Sequence, residues 1–379
     1  MSIIIGADLV PTESNYALFE NGDCKGLVGE ALLEKLNSAN YRIFNLEIPL
    51  TDKKTPIKKC GPALIAPTKT VEGYKALGVD LLTVANNHIM DQGEEGFKTT
   101  LATLEAAGIS YVGAGENLRS AQKPFRFDFK GKKIGVYACA EHEFSIADEN
   151  APGANPFDAL ESLDHIIELK KQSDFVIVLY HGGKEHYRYP SPYLQKVCRK
   201  IAEKGADLVI CQHSHCIGCY EEFNDSTIVY GQGNFLFDHQ NNEFWQTSIL
   251  VSIDESLKVS YIPLEKNGNT VKLATDVKAK EILNAFENRS NEIKIPGVIE
   301  KKYGEFAEKM KDHYLLTFSA TNRASFIFRV LSKLTGGKYQ KKLLSKKYTP
   351  TVSLAIENFV DCEAHRELLL FGLKGRKNK

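Results

Sequence analysis

The sequence predicts an α/β protein with a partly parallel, buried sheet, and three observations carry that prediction. Apolar runs of strand length recur, helical periods lie between several of them, and glycine closes those periods just before the next run. The strand runs fall at 3–5, 42–46, 81–85, 111–112, 133–139, 175–180, 208–211 and 227–230. In 94–108, Phe97, Leu101 and Leu104 keep a 3.6-residue spacing and Gly108 supplies the stop. In 191–205 a Ser-Pro start precedes Leu194, Val197 and Ile201 on one face, and Gly205 ends the helix before DLVIC. Such βα units bury a parallel sheet on both faces. From Ser248, SILVSIDES and KVSYIPLEKN alternate around a short polar turn, which predicts a hairpin at the edge of the same domain. Beyond about Thr270 the pattern turns helical and lysine-rich. The expected organisation is an α/β domain over 1–265 and a mainly helical, basic extension over 266–379.

Composition narrows the class. Of 379 residues, 43% are hydrophobic and 25% charged, enough to bury a core, which excludes a disordered chain, a collagen-like repeat and a disulfide-stapled miniprotein. Lys+Arg and Asp+Glu both number 48, so net charge names no partner. The balance hides a split, since residues 300–379 hold 17 basic against 8 acidic side chains. No apolar run approaches the roughly 18 residues of a membrane span. The start MSIIIGADLV lacks a basic n-region and reads as a first strand rather than a secretory signal. Eight unevenly spaced cysteines make no disulfide framework, so a reducing compartment, the cytoplasm, is expected.

The chemistry gathers at strand ends. Asp8 follows the first strand, Asn45-Leu46-Glu47 the second, and Asn86-Asn87-His88 with Asp91 the third. His181-Gly182-Gly183 ends FVIVLY, His213-Ser214-His215 ends LVICQ, and Asn234 lies beyond TIVY. Strand carboxyl ends line one edge of an open α/β sheet, where ligands bind. A lone histidine there is more often structural, but six ends bearing Asp, Glu, Asn or His outweigh that reading. A mixed nitrogen and oxygen set suits Zn, Mn or Fe. The spacing of His213 and His215 is that of an extended segment with both rings turned to one site. Gly113-Ala114-Gly115 lacks the third glycine of a dinucleotide loop. Cys216 and Cys219 lack the second pair of a structural zinc site and read as ordinary thiols. No Gly-x-Ser-x-Gly elbow or Walker lysine occurs.

Taken in order, GAD, NLEIPLT, ANNHIMDQG, HGGKEH, QHSHCIG and YGQGNFLFD resemble the CapA family of capsule or poly-γ-glutamate synthesis proteins, over roughly residues 3–240. That family is similar to a branch of the calcineurin-like metallophosphatases. The resemblance implies a sandwich of two mixed β-sheets flanked by helices. It implies metal ligation by Asp8, Glu47, Asn87, His181, His213 and His215, with Glu47 in the bridging position, and one or two divalent Mn, Fe or Zn ions. His88 matches a general acid, with Asp91 orienting it. Asn234 and Asp238 match a wall of the site, and Glu185 and Tyr187 are expected to line the substrate pocket. The chain departs from the pattern in three places, one being that His181-Gly182-Gly183 lacks the aromatic residue common after that histidine. Val10 stands where the superfamily has a histidine, which removes a ligand from one metal position. Gly6-Ala7-Asp8 replaces a direct Gly-Asp, which predicts displacement of Asp8 by one residue.

The implied activity is metal-assisted hydrolysis or transfer at a phosphoester or amide bond in an anionic capsule polymer or its precursor. The rival is a non-catalytic, metal-binding component of a polymer synthesis complex. The C-terminal extension adds a second expectation. Between Asp312 and Glu357 no acidic residue occurs, while eight basic ones do. Arg323, Arg329 and Lys333 interleave with Phe326, Ile327, Phe328, Val330, Leu331 and Leu334. This reads either as a packed helix with solvated lysines or as a peripheral contact with anionic lipid at the inner membrane face. No stacking platform or reading motif supports a nucleic-acid partner.

Overall fold

The computed structural model describes residues 2–239, 242–318 and 326–375. The chain divides into two compact units, Met1–Glu300 and Lys301–Lys379. The first unit opens with β1 (Ser2–Asp8), α1 (Tyr16–Glu20), α2 (Cys24–Asn37), β2 (Tyr41–Asn45), α3 (Val71–Ala76), β3 (Leu81–Thr83), α4 (Gly93–Ala106), β4 (Ser110–Val112), β5 (Ala114–Gly115) and α5 (Leu118–Ala121). It continues through β6 (Phe125–Phe129), β7 (Lys132–Ala140), β8 (Gly153–Ala154), α6 (Ser162–Lys170), β9 (Phe175–His181), α7 (Pro192–Glu203) and β10 (Leu208–Gln212). It closes with β11 (Tyr220–Phe223), β12 (Ser226–Val229), β13 (Thr247–Asp254), β14 (Val259–Asn267), β15 (Thr270–Leu273) and α8 (Asp276–Glu292).

Two mixed sheets form the sandwich. One has the order β15-β14-β13-β1-β2-β3-β4, parallel from β1 to β4 and antiparallel from β1 out to β15. The other has the order β11-β12-β10-β9-β7-β6, with four parallel strands between antiparallel edges. Strand alternation decides which core each side chain joins. On β9, Ile177 and Leu179 pack in the core that also holds Ile5, Phe44 and Leu82 of the first sheet. Val176 and Val178 pack the other way, with Ile166 and Leu169 of α6 and Val197 and Ile201 of α7. A strand buried on both faces must be apolar throughout, which explains the unbroken run FVIVLY. Helix α7 starts as expected, with the Ser191 side chain accepting from the Leu194 N–H and Pro192 in the first turn.

Three strands of the two sheets went unread in the sequence. β6 (FRFDF) and β11 (YEEF) are short edge strands rich in charge, and β15 lies beyond Thr270, where only helix was expected. The sequence places the domain boundary at 265. By compactness the first unit reaches Glu300, because α8 packs on β11 and β14 and buries Ile282 and Phe286.

The second unit is helical: it begins within α9 (Val298–Phe318) and continues through α10 (Phe326–Leu334), α11 (Lys338–Lys347), α12 (Pro350–Asp361) and α13 (Glu363–Gly375). Arg323 lies outside the described residues. Among those described, no helix is long and apolar enough to cross a membrane.

Candidate metal centre

The carboxyl ends of β1, β2 and β3 in one sheet and of β9 and β10 in the other bring their polar residues to one place. Two groups of candidate ligands result, Glu47 with His181 and His213, and Asp8 with Glu47 and His215. All five residues are buried, and Glu47 belongs to both groups.

The first position has a fourth candidate. His181 Nε2 lies 3.1 Å from Asn87 Oδ1, 3.1 Å from His213 Nδ1 and 3.2 Å from Glu47 Oε1. His213 Nδ1 lies 3.8 Å from the same Glu47 oxygen. Four ligands at about 2.0–2.1 Å from a tetrahedral ion stand roughly 3.3 Å apart, so these spacings fit a cation among them. Asn87 Nδ2 donates to Glu143 Oε2 at 2.9 Å, which turns the amide oxygen toward the histidines.

The second position has Asp8, Glu47 and His215, with His215 Nδ1 3.4 Å from Asp8 Oδ2 and 2.8 Å from Asn234 Oδ1. Val10 is fully buried and brings no donor. The expected one-residue displacement of Asp8 does not occur. The register between β1 and β2 shifts between Ile5 and Asp8, so Asp8 still pairs opposite Asn45. A bulge takes up one extra residue in this way and leaves the strand end in place.

The reading of His213 and His215 as an extended pair is corrected. Both have positive φ, 90° and 53°, a conformation that costs non-glycine residues energy and is held by surrounding packing. The turn splits the two rings between the two positions, where an extended segment would send both to one.

The electrostatics follow from burial among imidazoles. Burial alone would raise the Glu47 carboxyl, but His181 and His215 outweigh it and hold the group well below the usual carboxylate range. Both Glu47 oxygens are buried without a hydrogen bond of good geometry. Burial would lower His215, yet Glu47 and Asp8 push it up to about 9. Burial raises Glu185, and His213 and His215 overcome this to lower it. A buried carboxylate held between imidazoles is the setting a divalent ion fills.

Beside this centre, His88 Nδ1 lies 2.6 Å from Asp91 Oδ2. Asp91 is fully buried, and it also accepts from the Leu64 N–H and from Lys59, whose amine stands 3.2 Å from His88 Nδ1. With Nδ1 turned to Asp91, the other ring nitrogen is left for a substrate. Glu185 Oε1 stands 3.9 Å from His213 Nε2, at the edge of the ligands. Tyr187 is buried against Tyr189, with ring centroids 5.9 Å apart. Asp238 is engaged by Lys266 and by Ser14 Oγ.

The profile of the family described as "Bacterial capsule synthesis protein PGA_cap" matches residues 3–239. The chain belongs to that family. Within PGA_cap it is 31% identical over 212 residues to the capsule biosynthesis protein CapA of Bacillus anthracis, covering 54% of this chain and 52% of that protein. It is 30% identical over 210 residues to the PGA biosynthesis protein CapA of Bacillus subtilis strain 168, covering 53% and 54%. The chain thus spans about half the length of these relatives. Among solved structures it is similar to a phosphatase from Mycoplasma pneumoniae, with 16% identity, 71% of this chain and 94% of that one covered, and a TM-score of 0.44.

Some residues around this PGA_cap centre escaped the sequence reading. Asn45 Nδ2 donates to Asp8 Oδ1 at 2.7 Å, and its oxygen accepts from Thr83 and Asn86. Its place in Asn45-Leu46-Glu47 was the available signal. Lys59 and Glu143 sit in polar loops, where a lysine or glutamate is solvated by default, and carried none. Trp245, 4.8 Å from the His215 ring, and His186, 6.2 Å away, wall one side of the second position. The single tryptophan of the chain was a signal left unused.

Proposed function

We propose that this chain is a metal-dependent hydrolase or transferase acting at a phosphoester or amide bond of an anionic capsule polymer or its precursor. The observation that carries the reading is Glu47, whose two buried oxygens lie without hydrogen bonds of good geometry in both candidate ligand groups. The relatives named for capsule and PGA biosynthesis support the polymer class.

Asp8, Glu47, Asn87, His181, His213 and His215 would hold one or two divalent transition metal ions, Mn, Fe or Zn. A bound ion supplies Lewis acidity toward a phosphoryl or carbonyl oxygen. The chain supplies the proton. Asp91 fixes the His88 ring and tautomer, and His88 delivers a proton to the leaving group from its free nitrogen. Asn234 steadies His215, and Glu185 guards the rim beside His213.

The test measures metal content of the purified protein, then turnover of model phosphoesters and γ-glutamyl amides, with His88→Ala as control. Metal retained with turnover lost by 10²–10⁴-fold in the variant is the expected result. Bound metal with no turnover of either substrate class would favour the rival, a metal-binding component without catalysis, which Val10 favours by thinning the second position.

The proposal extends to location. The basic helices of the second unit support a cytoplasmic protein in peripheral contact with anionic lipid at the inner membrane face. Phe326, Ile327 and Leu334 of α10 are exposed beside Arg329 and Lys333.

A further inference from the structure

Away from the metal ligands, a cavity of about 300 Å³ is lined by Arg188, Ile217, Thr247, Lys278, Ile282 and Arg289. Its charges do not balance. Lys278 pairs with Glu281, the one carboxylate of the lining, at 3.0 Å. Neither arginine makes an ion pair among the described residues. Each is tied instead to a backbone carbonyl of one turn, Arg188 Nη1 to Ile217 O at 3.0 Å and Arg289 Nε to Gly218 O at 2.6 Å. A guanidinium carries five N–H donors. Most donors of both forks thus have no protein acceptor among the described residues, although both side chains are partly buried. Adjacent carbonyls bring two like charges together, and the repulsion shows. Burial first and Arg188 second pull Arg289 below the ordinary guanidinium value.

Such an arrangement is unfavourable without an anion and matched to one. Guanidinium forks bind carboxylate or phosphate oxygens bidentately, with gains in both energy and geometry. A short run of packed rings lies between the cavity and the candidate metal centre. Arg188 lies over the Phe244 ring at 4.9 Å, Phe244 stacks on His186 at 5.2 Å, and His186 stands 6.2 Å from His215. A chain advances at most about 3.3–3.6 Å per residue, so a polymer with its reacting bond at the metal centre reaches this cavity within a few repeats.

We propose that Arg188 and Arg289 form an oxyanion subsite that takes a carboxylate of the polymer several repeats from the reacting bond. The oxyanion site stands on the two arginines alone; its assignment to a polymer carboxylate rests on the proposed function above. The subsite would set substrate register and select for chains of negative charge.

Titration calorimetry on the full-length protein tests it, with γ-linked triglutamate and inorganic phosphate as probes and metal content measured in every sample. Triglutamate should bind, with Kd raised at least tenfold in Arg188→Gln and in Arg289→Gln while metal content stays unchanged. Arg289→Lys guards against misfolding, since it keeps the charge and loses the fork, and its Kd should fall between the two. Phosphate binding with the same arginine dependence, and no triglutamate binding, would keep the oxyanion site and overturn the polymer assignment. Binding of both probes unaffected by the substitutions, or absent from the wild-type protein, would overturn the subsite. Loss of metal alone, with arginine-dependent binding intact, would count against the proposed function and leave the subsite standing.

Discussion

Asp8 Oδ1 accepts a 2.7 Å hydrogen bond from Asn45 Nδ2, and the pair exists because one extra residue of β1 is absorbed just before it. Asn45 is fully buried and joins three strand ends, since its oxygen also accepts from Thr83 Oγ1 of β3 at 3.0 Å and from Asn86 Nδ2 at 3.2 Å. Asn45→Ala should therefore cost about 1–3 kcal/mol of stability, the penalty of buried polar groups left unpaired. Losing a partner that orients a ligand should also weaken metal affinity about 10–100-fold at the position Asp8 serves. Urea unfolding and metal titration of the same variant check both numbers.

Glu47 belongs to both ligand groups, whereas His181 belongs to one. Glu47→Gln should lower metal affinity at both positions, and His181→Ala at only the first. With Val10 in place of a donor, the second position of the wild-type protein should bind metal at least tenfold more weakly than the first. Metal titration followed by anomalous scattering reads the two positions separately. Two equally tight ions in the wild type would mean that another residue has replaced the missing ligand.

Acid and metal compete for the same imidazoles. His215 is pushed up to about 9 in the metal-free protein by Glu47 and Asp8, against the effect of burial. A raised histidine stabilises the fold fully below its unfolded value of about 6.5, and that contribution is lost as pH rises through about 9. Metal-free protein should thus lose thermal stability between pH 6.5 and 9. Metal affinity should move the opposite way, rising about tenfold per pH unit, because a ligand must shed its proton to bind. Calorimetric titration at several pH values, with proton release measured from buffer enthalpies, tests the opposed trends.

Lys59 and Asp91 form a buried pair, with side chains 3% and 0% exposed. Lys59→Met would leave the Asp91 charge with only His88 and one backbone N–H, and removing one partner of a buried pair costs about 3–5 kcal/mol. The double variant Lys59→Met, Asp91→Asn should recover much of that loss in chemical unfolding. Equal stability of wild type and Lys59→Met would show that His88 alone neutralises Asp91.

The strand ends were legible because chemistry-bearing residues followed apolar runs, as with Asp8 after the first run and His181 after FVIVLY. The supporting contacts were not, because they join loops far apart in sequence. Lys59 meets Asp91 across 32 positions and Asn87 meets Glu143 across 56, and nothing local marks either pair. The turn at His213 and His215 was missed for another reason. Spacing alone does not distinguish an extended segment from one with positive φ. A Cβ on Gly231 would come within 2.6 Å of Ser214 Oγ, so the glycine directly after the 227–230 run makes room for it. The charged edge strands β6 and β11 escaped because their apolar alternation is interrupted by Arg126, Asp128, Glu221 and Glu222.

The last prediction concerns the second unit. Within α11, Lys338, Lys341, Lys342, Lys346 and Lys347 are all exposed. In α10, Phe326 is 73% exposed, Ile327 68% and Leu334 77%, which leaves apolar side chains in solvent beside basic ones. Solvated lysines alone need no partner, but large apolar residues in water cost free energy that contact with a lipid surface recovers. Each basic residue near an anionic membrane adds on the order of 1 kcal/mol, screened within a Debye length. Full-length protein should co-sediment with vesicles rich in phosphatidylglycerol, release as salt rises, and ignore pure phosphatidylcholine. A full-length variant with Lys338, Lys341, Lys342 and Lys346 changed to glutamine should lose at least tenfold in binding while keeping its metal content. Protein that stays in the supernatant with strongly anionic vesicles at low salt would make these helices a solvated basic surface. Retention by poly-γ-glutamate but not by lipid would assign the same charges to the polymer instead.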